Sequence, residues 1–190
     1  TPSLALAGFV ENLKPEKSGE KLLGQHVYWV DELAAAQAGS HLLCGIGTTK
    51  RQLYVDQVRS FGLPFATLLH PTAHISSKSR IGEGSILGVN SIVAAHSEIG
   101  NHVIINRAAS IGHHTQVGDY VTIGPGANIA GRCTIGSGTY IGMGAIIIDG
   151  LRIGSNSIVG AGAVVTRDVP DNVQVVGVPA KVVKEGVNGR

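Results

Sequence analysis

The middle of the chain brings together side chains that could handle a proton. His113 and His114 are adjacent, and Asn106 lies one six-residue repeat earlier in the sequence. A neutral imidazole, whose ordinary pKa is about 6.5, can remove a proton from a substrate near neutral pH. The glycines around His113 leave backbone open to a ligand. The alternative interpretation is a surface histidine without a function, of the kind we expect for His96 and His102.

A period of six residues positions these side chains. From Ile75 to Val165 every sixth residue is Ile, Leu or Val, and the residue four positions later is mostly small, for example Cys133. A helix has a period near 3.6 residues and a half-buried strand a period of two, so neither produces this pattern. It is typical of a hexapeptide-repeat β-helix, in which each hexad forms one flat strand and one turn. His113 is the third residue of its hexad, a position that points outward near a corner.

A longer period of 18 residues lies on top of the hexads. It is visible in the segments IGEG at 81, IGNH at 99, VGDY at 117, IGSG at 135 and IGSN at 153. Three strands per turn make a triangular prism that rises about 4.8 Å per turn, the spacing of paired strands. Each stacked isoleucine contributes roughly 1.5–3 kcal/mol when fully buried. We expect the segment after Val165 to cover one open end of the prism, because exposed strand edges favour aggregation.

The first 72 residues follow a different pattern, in which strand-like and helix-like segments alternate. We predict strands at LALAGFV, HLLCGIG and FATLLH, and helices at VDELAAAQAG and at TTKRQLYVDQVRSFG, with Thr48 or Thr49 as the cap of the latter. This alternation is typical of a small parallel sheet. No glycine-rich turn precedes LALAGFV, so we expect a first strand and helix ahead of residue 1. The sequence thus predicts a partial Rossmann-like α/β domain over 1–72 and an all-β parallel β-helix over 73–190.

Composition narrows the possible partners. The net charge is +2 and aromatic residues make up 4% of the chain, which argues against nucleic-acid binding. We find neither an apolar run of the roughly 20 residues that span a membrane nor the pattern of a secretory signal. The two cysteines, Cys44 and Cys133, suggest no disulfide framework, so we expect a cytoplasmic protein. Cys133 occupies an inward position, and we expect it to pack in the core.

Several motifs together resemble a known group of enzymes. They are GFVEN, GIGTTKR, LLHPTAHIS, IGHHTQVGDYVTIGPGANIAG, VGAGAVVTRDVP and GVPAK, spread over nearly the whole chain. The chain resembles the bacterial hexapeptide-repeat acetyltransferases of nucleotide-linked sugars, which include bacillosamine-pathway and perosamine N-acetyltransferases and sialic acid O-acetyltransferases. The resemblance implies a left-handed β-helix, acetyl-CoA as co-substrate, no metal, and a homotrimer with active sites between subunits.

The resemblance also implies roles for the central residues. His113 falls on the family's general base, which takes the proton of the sugar amine as the amine attacks the acetyl thioester. Asn106 falls on an asparagine that orients the sugar. His114 departs from the family, which usually has Glu or Asp there. A neutral imidazole accepts a hydrogen bond but lacks the negative charge with which a carboxylate stabilises imidazolium.

Further roles follow from the same resemblance. The positions predicted to contact acetyl-CoA are Thr122, Gly131, Met143, Ala161 and Lys181; the bacillosamine-pathway enzyme has a histidine in place of Thr122. Those predicted to contact the nucleotide sugar are Glu11, Asn12, Gly47 and Thr48. For Glu11 and Asn12, an ordinary solvated turn after a strand is the alternative.

Three activities remain as alternatives at this point. The first is N-acetylation of a nucleotide-linked 4-amino-4,6-dideoxysugar in bacterial glycan biosynthesis. The second is O-acetylation of sialic acid or another sugar, which the missing carboxylate at position 114 disfavours because an alcohol is harder to deprotonate. The third is a zinc β-helix similar to γ-type carbonic anhydrases. That class has two histidines with four residues between them (His-x4-His). This chain has no such pair, and the residue five positions after His113 is Gly118. A β-helix without a ligand is a further alternative.

Overall fold

The computed structural model describes residues 5–35 and 39–190. It divides the chain into two compact units, which are described separately. The smaller unit contains Thr1–His41 and Leu53–Pro64, and the larger contains Leu42–Gln52 and Phe65–Arg190. Among the described residues, no helix has the length and apolar character needed to cross a membrane.

The smaller unit is built on a mixed three-stranded sheet. Its strands are β1 (Phe9–Glu11), β2 (Lys21–Leu22) and β3 (Gln25–Trp29). β1 pairs parallel to β3, and β2 pairs antiparallel to β3. The segment predicted as the helix VDELAAAQAG forms a 3-10 helix over Val30–Ala35, while its residues 36–38 lie outside the described residues. Val30 and Leu33 of this helix are buried.

The second predicted helix is confirmed. It begins as a 3-10 turn, Thr49–Arg51, and continues as α1 (Gln52–Arg59). Thr48 is its N-cap, and the Thr48 hydroxyl accepts a hydrogen bond from the Lys50 backbone N–H at 3.3 Å. Such a bond satisfies one of the backbone donors that the first turn leaves unpaired.

Of the strand predictions for residues 41–70, one is wrong and one is confirmed only in part. HLLCGIG is not a buried strand; Leu42 makes a single bridge to Phe65, and the segment is otherwise irregular. FATLLH forms only the short strand Leu68–Leu69, which pairs with Ile86–Leu87 of the prism. The prism therefore begins at Leu68, before Ile75. Apolar runs of this length do not distinguish a strand from an irregular segment that packs on another surface.

The larger unit is the prism that the hexads predict. Its strands are β4 (Leu68–Leu69), β5 (His74–Ile75), β6 (Arg80–Ile81), β7 (Ile86–Leu87), β8 (Ile92–Val93), β9 (Glu98–Ile99), β10 (Ile104–Ile105), β11 (Ser110–Ile111), β12 (Gln116–Val117), β13 (Thr122–Ile123), β14 (Asn128–Ile129), β15 (Thr134–Ile135), β16 (Tyr140–Ile141), β17 (Ile146–Ile147), β18 (Arg152–Ile153), β19 (Ile158–Val159), β20 (Val164–Val165), β21 (Val173–Val176) and β22 (Lys181–Glu185).

From β4 to β20, successive strands enter three parallel sheets in rotation, and β21 and β22 then extend the first of these sheets. Sheet I has the order β22-β21-β19-β16-β13-β10-β7-β4, sheet II β20-β17-β14-β11-β8-β5, and sheet III β18-β15-β12-β9-β6. We call the turn from a sheet I strand to the next sheet II strand the I–II corner. The turn from sheet II to sheet III is the II–III corner. Each corner repeats every coil, so residues 18 positions apart lie above one another.

The hexad isoleucines form the core. Ile105 pairs with Ile123, and Ile123 pairs with Ile141, and all three side chains have 0% exposure. The small residue of each hexad also faces inward, as the buried Ala109 illustrates. Cys133 is buried as predicted, and burial raises the pKa of its thiol.

The C-terminal segment adds to one end of sheet I. β21 pairs parallel to β19, and β22 returns antiparallel along β21. Strand pairing thus continues past Val165, in agreement with the predicted cover for this end of the prism. Beyond β22 the chain runs back along the prism, where the Gly189 backbone N–H donates to the carbonyl of Asn156 at 2.7 Å.

Candidate active site

His113 lies at the II–III corner, in the turn between β11 and β12. Its side chain is exposed. The turn is held from both sides, because the His114 N–H donates to the Ala95 carbonyl at 3.0 Å and the Arg132 N–H donates to the His113 carbonyl at 2.8 Å. The coil thus presents the His113 imidazole outward from a fixed backbone.

Gly131, on the next coil, leaves space for the His113 ring. A Cβ atom at Gly131 would lie 2.9 Å from both Cε1 and Nε2 of His113. Any other residue there would force the imidazole to move. The structure therefore brings together Gly131, predicted to contact acetyl-CoA, and His113, the predicted base.

The two adjacent histidines are within hydrogen-bonding distance of each other. The Nδ1 atoms of His113 and His114 are 3.0 Å apart, and the two rings are nearly perpendicular. One Nδ1 must therefore carry a proton and the other must accept it. The His114 ring also lies 4.8 Å from the ring of His96, one coil below.

The environment of His114 favours its neutral ring, which has a nitrogen lone pair for accepting. Partial desolvation lowers the pKa of His114, and the positive charges of His96, His113 and Arg132 lower it further. His114 is therefore neutral near pH 7 and can accept from the protonated Nδ1 of His113. In that tautomer, Nε2 of His113 carries the lone pair and can act as a base.

Other predicted residues lie at a different corner. Asn106 is in the I–II corner, where its amide Nδ2 donates to the carbonyl of Ile123 at 3.1 Å. Met143 and Ala161 occupy the same corner on later coils, since the Gly162 N–H donates to the Met143 carbonyl at 2.8 Å. Within one chain, sheet II separates these residues from His113, His114 and Gly131.

Thr122 is buried on sheet I and its hydroxyl already has partners. It is 2% exposed, accepts from Arg51 Nη1 at 2.7 Å and donates to the Gly47 carbonyl at 3.2 Å. A hydrogen bond from this hydroxyl to acetyl-CoA would have to replace one of these bonds or use its remaining lone pair. The role of Thr122 toward acetyl-CoA stays a prediction.

Arg51 is the functional candidate that the sequence analysis missed. Its side chain is fully buried, and its guanidinium donates to the carbonyls of His102 (2.6 and 2.9 Å), Val121 (2.8 Å) and Thr48 (2.8 Å) as well as to Thr122. Burial lowers the pKa of Arg51 to about 10, which keeps it charged at neutral pH. The sequence feature that could have indicated Arg51 is its place as the last residue of the motif GIGTTKR, directly before an amphipathic helix.

The Arg51 contacts bring predicted substrate and cofactor residues together. Gly47 and Thr48 are predicted to contact the nucleotide sugar, and both are joined to Thr122 by direct or Arg51-mediated hydrogen bonds. The same segment meets the end of the described chain. The Thr49 N–H donates to the Arg190 carbonyl, and the Arg190 N–H donates to the Thr49 hydroxyl, both at 2.9 Å.

Glu11 and Asn12 lie in the smaller unit. The Glu11 carboxylate accepts from the backbone N–H of Leu13, Lys14 and Asn12 at 2.8–3.3 Å, and these bonds, that of Leu13 first, lower its pKa. The Asn12 side chain donates to Gln57 at 2.7 Å. Both residues thus stabilise the turn after β1, and nucleotide binding by them stays a prediction.

The expectation that His102 decorates the surface is wrong. It is 1% exposed, its ring meets that of Phe65 edge-on at 4.6 Å, and it stacks on Tyr120 at 5.3 Å. The hexad pattern places this position outward, but Phe65 covers it. His96 is exposed, as expected.

Within the described part of the chain, no group of three or more His, Cys, Asp and Glu residues is arranged to hold a metal ion.

Several proteins of known structure that are similar to this chain are acetyltransferases. The bacterial transferase hexapeptide family (six repeats) matches residues 96–131 and 132–167. Perosamine N-acetyltransferase from Caulobacter crescentus, solved as a histidine-to-asparagine variant with CoA and GDP-perosamine, is 31% identical over 96% of this chain and 100% of its own, with a TM-score of 0.85. No curated protein matches the sequence.

Two further solved structures agree. WeeI from Acinetobacter baumannii is 31% identical over 96% of this chain and 89% of its own, with a TM-score of 0.87. The acetyltransferase domain of PglB from Neisseria gonorrhoeae, in complex with acetyl coenzyme A, is 31% identical over 86% of this chain and 81% of its own, with a TM-score of 0.81. The fold is accordingly a left-handed β-helix preceded by an α/β region. The chain belongs to the hexapeptide-repeat nucleotide-sugar acetyltransferases and is a coenzyme A-dependent acyltransferase.

Proposed function

We propose that this protein transfers the acetyl group of acetyl-CoA to the amine of a nucleotide-linked 4-amino-4,6-dideoxysugar, in the biosynthesis of a bacterial glycan. The observation that carries the proposal is the outward-facing His113, whose Nδ1 lies 3.0 Å from the Nδ1 of a neutral His114. The relatives support the substrate class, since one was solved with CoA and GDP-perosamine and another with acetyl coenzyme A.

In the proposed reaction, the sugar amine attacks the carbonyl carbon of the acetyl thioester. A C–N bond forms, and the amine loses a proton to Nε2 of His113. The C–S bond then breaks, and the proton passes from His113 to the departing sulfur. The products are the N-acetylated sugar and coenzyme A, and the imidazole returns to its starting state.

His114 takes a role that a carboxylate fills in the family. It orients His113 by accepting the Nδ1 proton, which leaves Nε2 directed at the substrate. It does not add a negative charge beside the imidazolium that forms during the reaction. A neutral amine is nucleophilic enough to attack before it loses its proton, whereas an alcohol needs its proton removed as it attacks. This arrangement therefore supports N-acetylation over O-acetylation.

A second copy of the chain is required to complete the proposed site. The predicted residues around the reacting groups are divided between the two corners that border sheet II. His113, His114 and Gly131 lie at the II–III corner, and Asn106, Met143 and Ala161 lie at the I–II corner. The outer face of sheet II carries Ile92 and Ile146, each 44% exposed, and Met143 is 57% exposed beside it. Such an apolar surface on a narrow prism favours burial against another copy. We infer a closed homotrimer in which the II–III corner of one subunit faces the I–II corner of its neighbour.

The remaining predicted residues keep their assigned roles in this proposal. Glu11, Asn12, Gly47 and Thr48 contact the nucleotide of the sugar substrate. Acetyl-CoA and nucleotide sugars are both made in the cytoplasm, so we propose that the enzyme works there.

The test is a transfer assay with defined acceptors. Purified protein is incubated with acetyl-CoA and a panel of GDP-, UDP- and dTDP-linked sugars that carry either a 4-amino or a 4-hydroxyl group. We expect a product heavier by one acetyl group for a 4-amino sugar only, with release of free thiol. Transfer to hydroxyl sugars alone, or no binding of coenzyme A at all, would contradict the proposal.

A further inference from the structure

An open groove lies on the outer face of sheet I, beyond the part that residues 42–52 cover. Its volume is about 410 Å³. The side chains that line it and enter the argument are Tyr140, Met143, Ile158, Ala161, Gln174 and Arg190. Tyr140, Ile158 and Gln174 are neighbours across the paired strands β16, β19 and β21, so they form a continuous floor.

The groove begins where the cover of sheet I ends. Thr122, one strand before Tyr140, is 2% exposed because Arg51 and Gly47 lie on it. Tyr140 and Ile158 are only half-buried. The outer face of sheet I is therefore covered by Arg51 and Gly47 at β13, and from β16 onward it is open to a ligand.

Arg190 forms one end of the groove. The backbone before it follows the prism, with hydrogen bonds from Val187 to Asn172 (3.0 Å) and from Gly189 to Asn156 (2.7 Å). The guanidinium then lies over the Tyr140 ring, with Cζ 4.7 Å from the ring centroid, and Nη1 donates to the Tyr140 hydroxyl. One of its five N–H groups is used in this way, and the other four remain for a ligand.

The groove has positively charged side chains, and no Asp or Glu side chain is among its described lining residues. Lys184 pairs with Gln174 across β21 and β22, and Lys181 pairs with Val176. Cross-strand partners share a face of the sheet, so both lysines lie on the face that carries the groove. A planar guanidinium that is held by an aromatic ring is well suited to bind phosphate with two parallel hydrogen bonds.

We propose that this groove is a phosphate subsite in which Arg190, supported by Tyr140, binds the diphosphate of coenzyme A. The assignment rests on the proposed function, because Met143 and Ala161 are predicted to line the pantetheine arm and both also line the groove. The diphosphate is attached directly to that arm. The diphosphate of the nucleotide sugar has the same chemistry and is the other possible source of the phosphate.

The test compares Arg190→Gln with the wild-type enzyme. Arg190 is exposed, so the substitution leaves the core intact. We expect the KM for acetyl-CoA and the Kd for coenzyme A to rise about tenfold or more, the effect of one lost charge-assisted hydrogen bond, with kcat nearly unchanged. With S-acetylpantetheine, which has no diphosphate, the variant and the wild type should have equal kinetics. Arg190→Lys should recover part of the affinity.

Lys78→Gln is the matched control, since Lys78 is an exposed cation on the first coil, far from the groove along the prism. It should leave every constant unchanged. A rise only in the KM for the nucleotide sugar would overturn the assignment to coenzyme A and give the subsite to the sugar diphosphate. Unchanged constants for both substrates would overturn the inference altogether. The Kd for coenzyme A is measured by calorimetry without turnover, so a wild type that binds coenzyme A but acetylates no sugar would contradict the proposed function alone.

Discussion

At the scale of single residues, the site depends on the position of one imidazole. The His113 ring lies against Gly131, and its Nδ1 faces His114. Both contacts act on the direction of Nε2, and neither is a hydrogen bond to that atom. The ring is thus oriented by the coil that carries it and by the coil above.

Replacing this imidazole should remove the base and leave the binding surfaces in place. We expect His113→Ala to lower kcat about 10²- to 10⁴-fold, the usual contribution of a general base, with the Kd for coenzyme A nearly unchanged. Steady-state kinetics and calorimetry measure the two effects. His41→Ala, at an exposed histidine outside the site, should behave as wild type. Full activity of His113→Ala would show that positioning of the two substrates suffices for the reaction.

His114 should make the stability of the protein depend on pH. Its pKa in the folded protein is lowered below the ordinary value of 6.5. Between these two values the unfolded chain binds a proton that the folded protein does not bind, so acid favours unfolding. The contribution of His114 to the free energy of unfolding should therefore fall as the pH decreases through 6.5 and be constant above it.

Thermal unfolding of His114→Asn between pH 5 and 8 tests this expectation. His114 has a φ of +57°, and asparagine tolerates that left-handed conformation while removing the titrating group. Relative to the variant, the wild type should lose Tm as the pH decreases below 6.5. A difference in Tm that is the same at every pH would contradict the assignment of the lowered pKa.

At the scale of elements, residues 47–51 join the prism through a buried cation. Arg51 hydrogen-bonds carbonyls of two coils and of its own segment, and these bonds connect positions up to 71 residues apart in sequence. No carboxylate is among the partners that these bonds give the guanidinium. The bonds to carbonyl groups offset the cost of burying the charge, and they orient the segment that carries Gly47 and Thr48.

We expect Arg51→Met to destabilise this attachment. The loss of several hydrogen bonds to buried carbonyls should lower the free energy of unfolding by about 2–4 kcal/mol. It should also raise the KM for the nucleotide sugar more than that for acetyl-CoA, because Gly47 and Thr48 lose their support. Lys50→Met, at the exposed neighbouring cation, is the control. Equal effects on both KM values would leave Arg51 with a role in folding only.

At the scale of the whole molecule, the repeat was predictable and the cover of the prism was not. Ile105, Ile123 and Ile141 are buried because a six-residue period needs only local turns and one neighbouring coil. The strand predicted at HLLCGIG fails because its partner lies outside the repeat, as the bridge from Leu42 to Phe65 illustrates. The buried state of His102 has the same origin. The pattern of the sequence records which face a residue occupies, but not which segment later packs on that face.

The candidate site likewise combines features that follow from the repeat with contacts that depend on segments outside it. The common corner of His113, His114 and Gly131 could be predicted from the repeat, although their roles were predicted from resemblance. Arg51 and Arg190 could not, since their contacts depend on segments that return to the prism from outside the repeat. Several residues whose roles were predicted from resemblance are divided between two corners, which the proposed homotrimer would join.

The assembly can be tested by mixing two inactive variants. His113→Ala disables the II–III corner, and Ala161→Trp, at an exposed position of the I–II corner, should block acetyl-CoA. Each variant alone should be inactive. If the two corners of one site come from neighbouring subunits, co-refolding or co-expression in equal amounts should restore about a quarter of the sites, because each such site takes one intact corner from each variant. Activity that stays at the level of the separate variants, in mixed trimers verified by mass, would show that each chain builds its site alone.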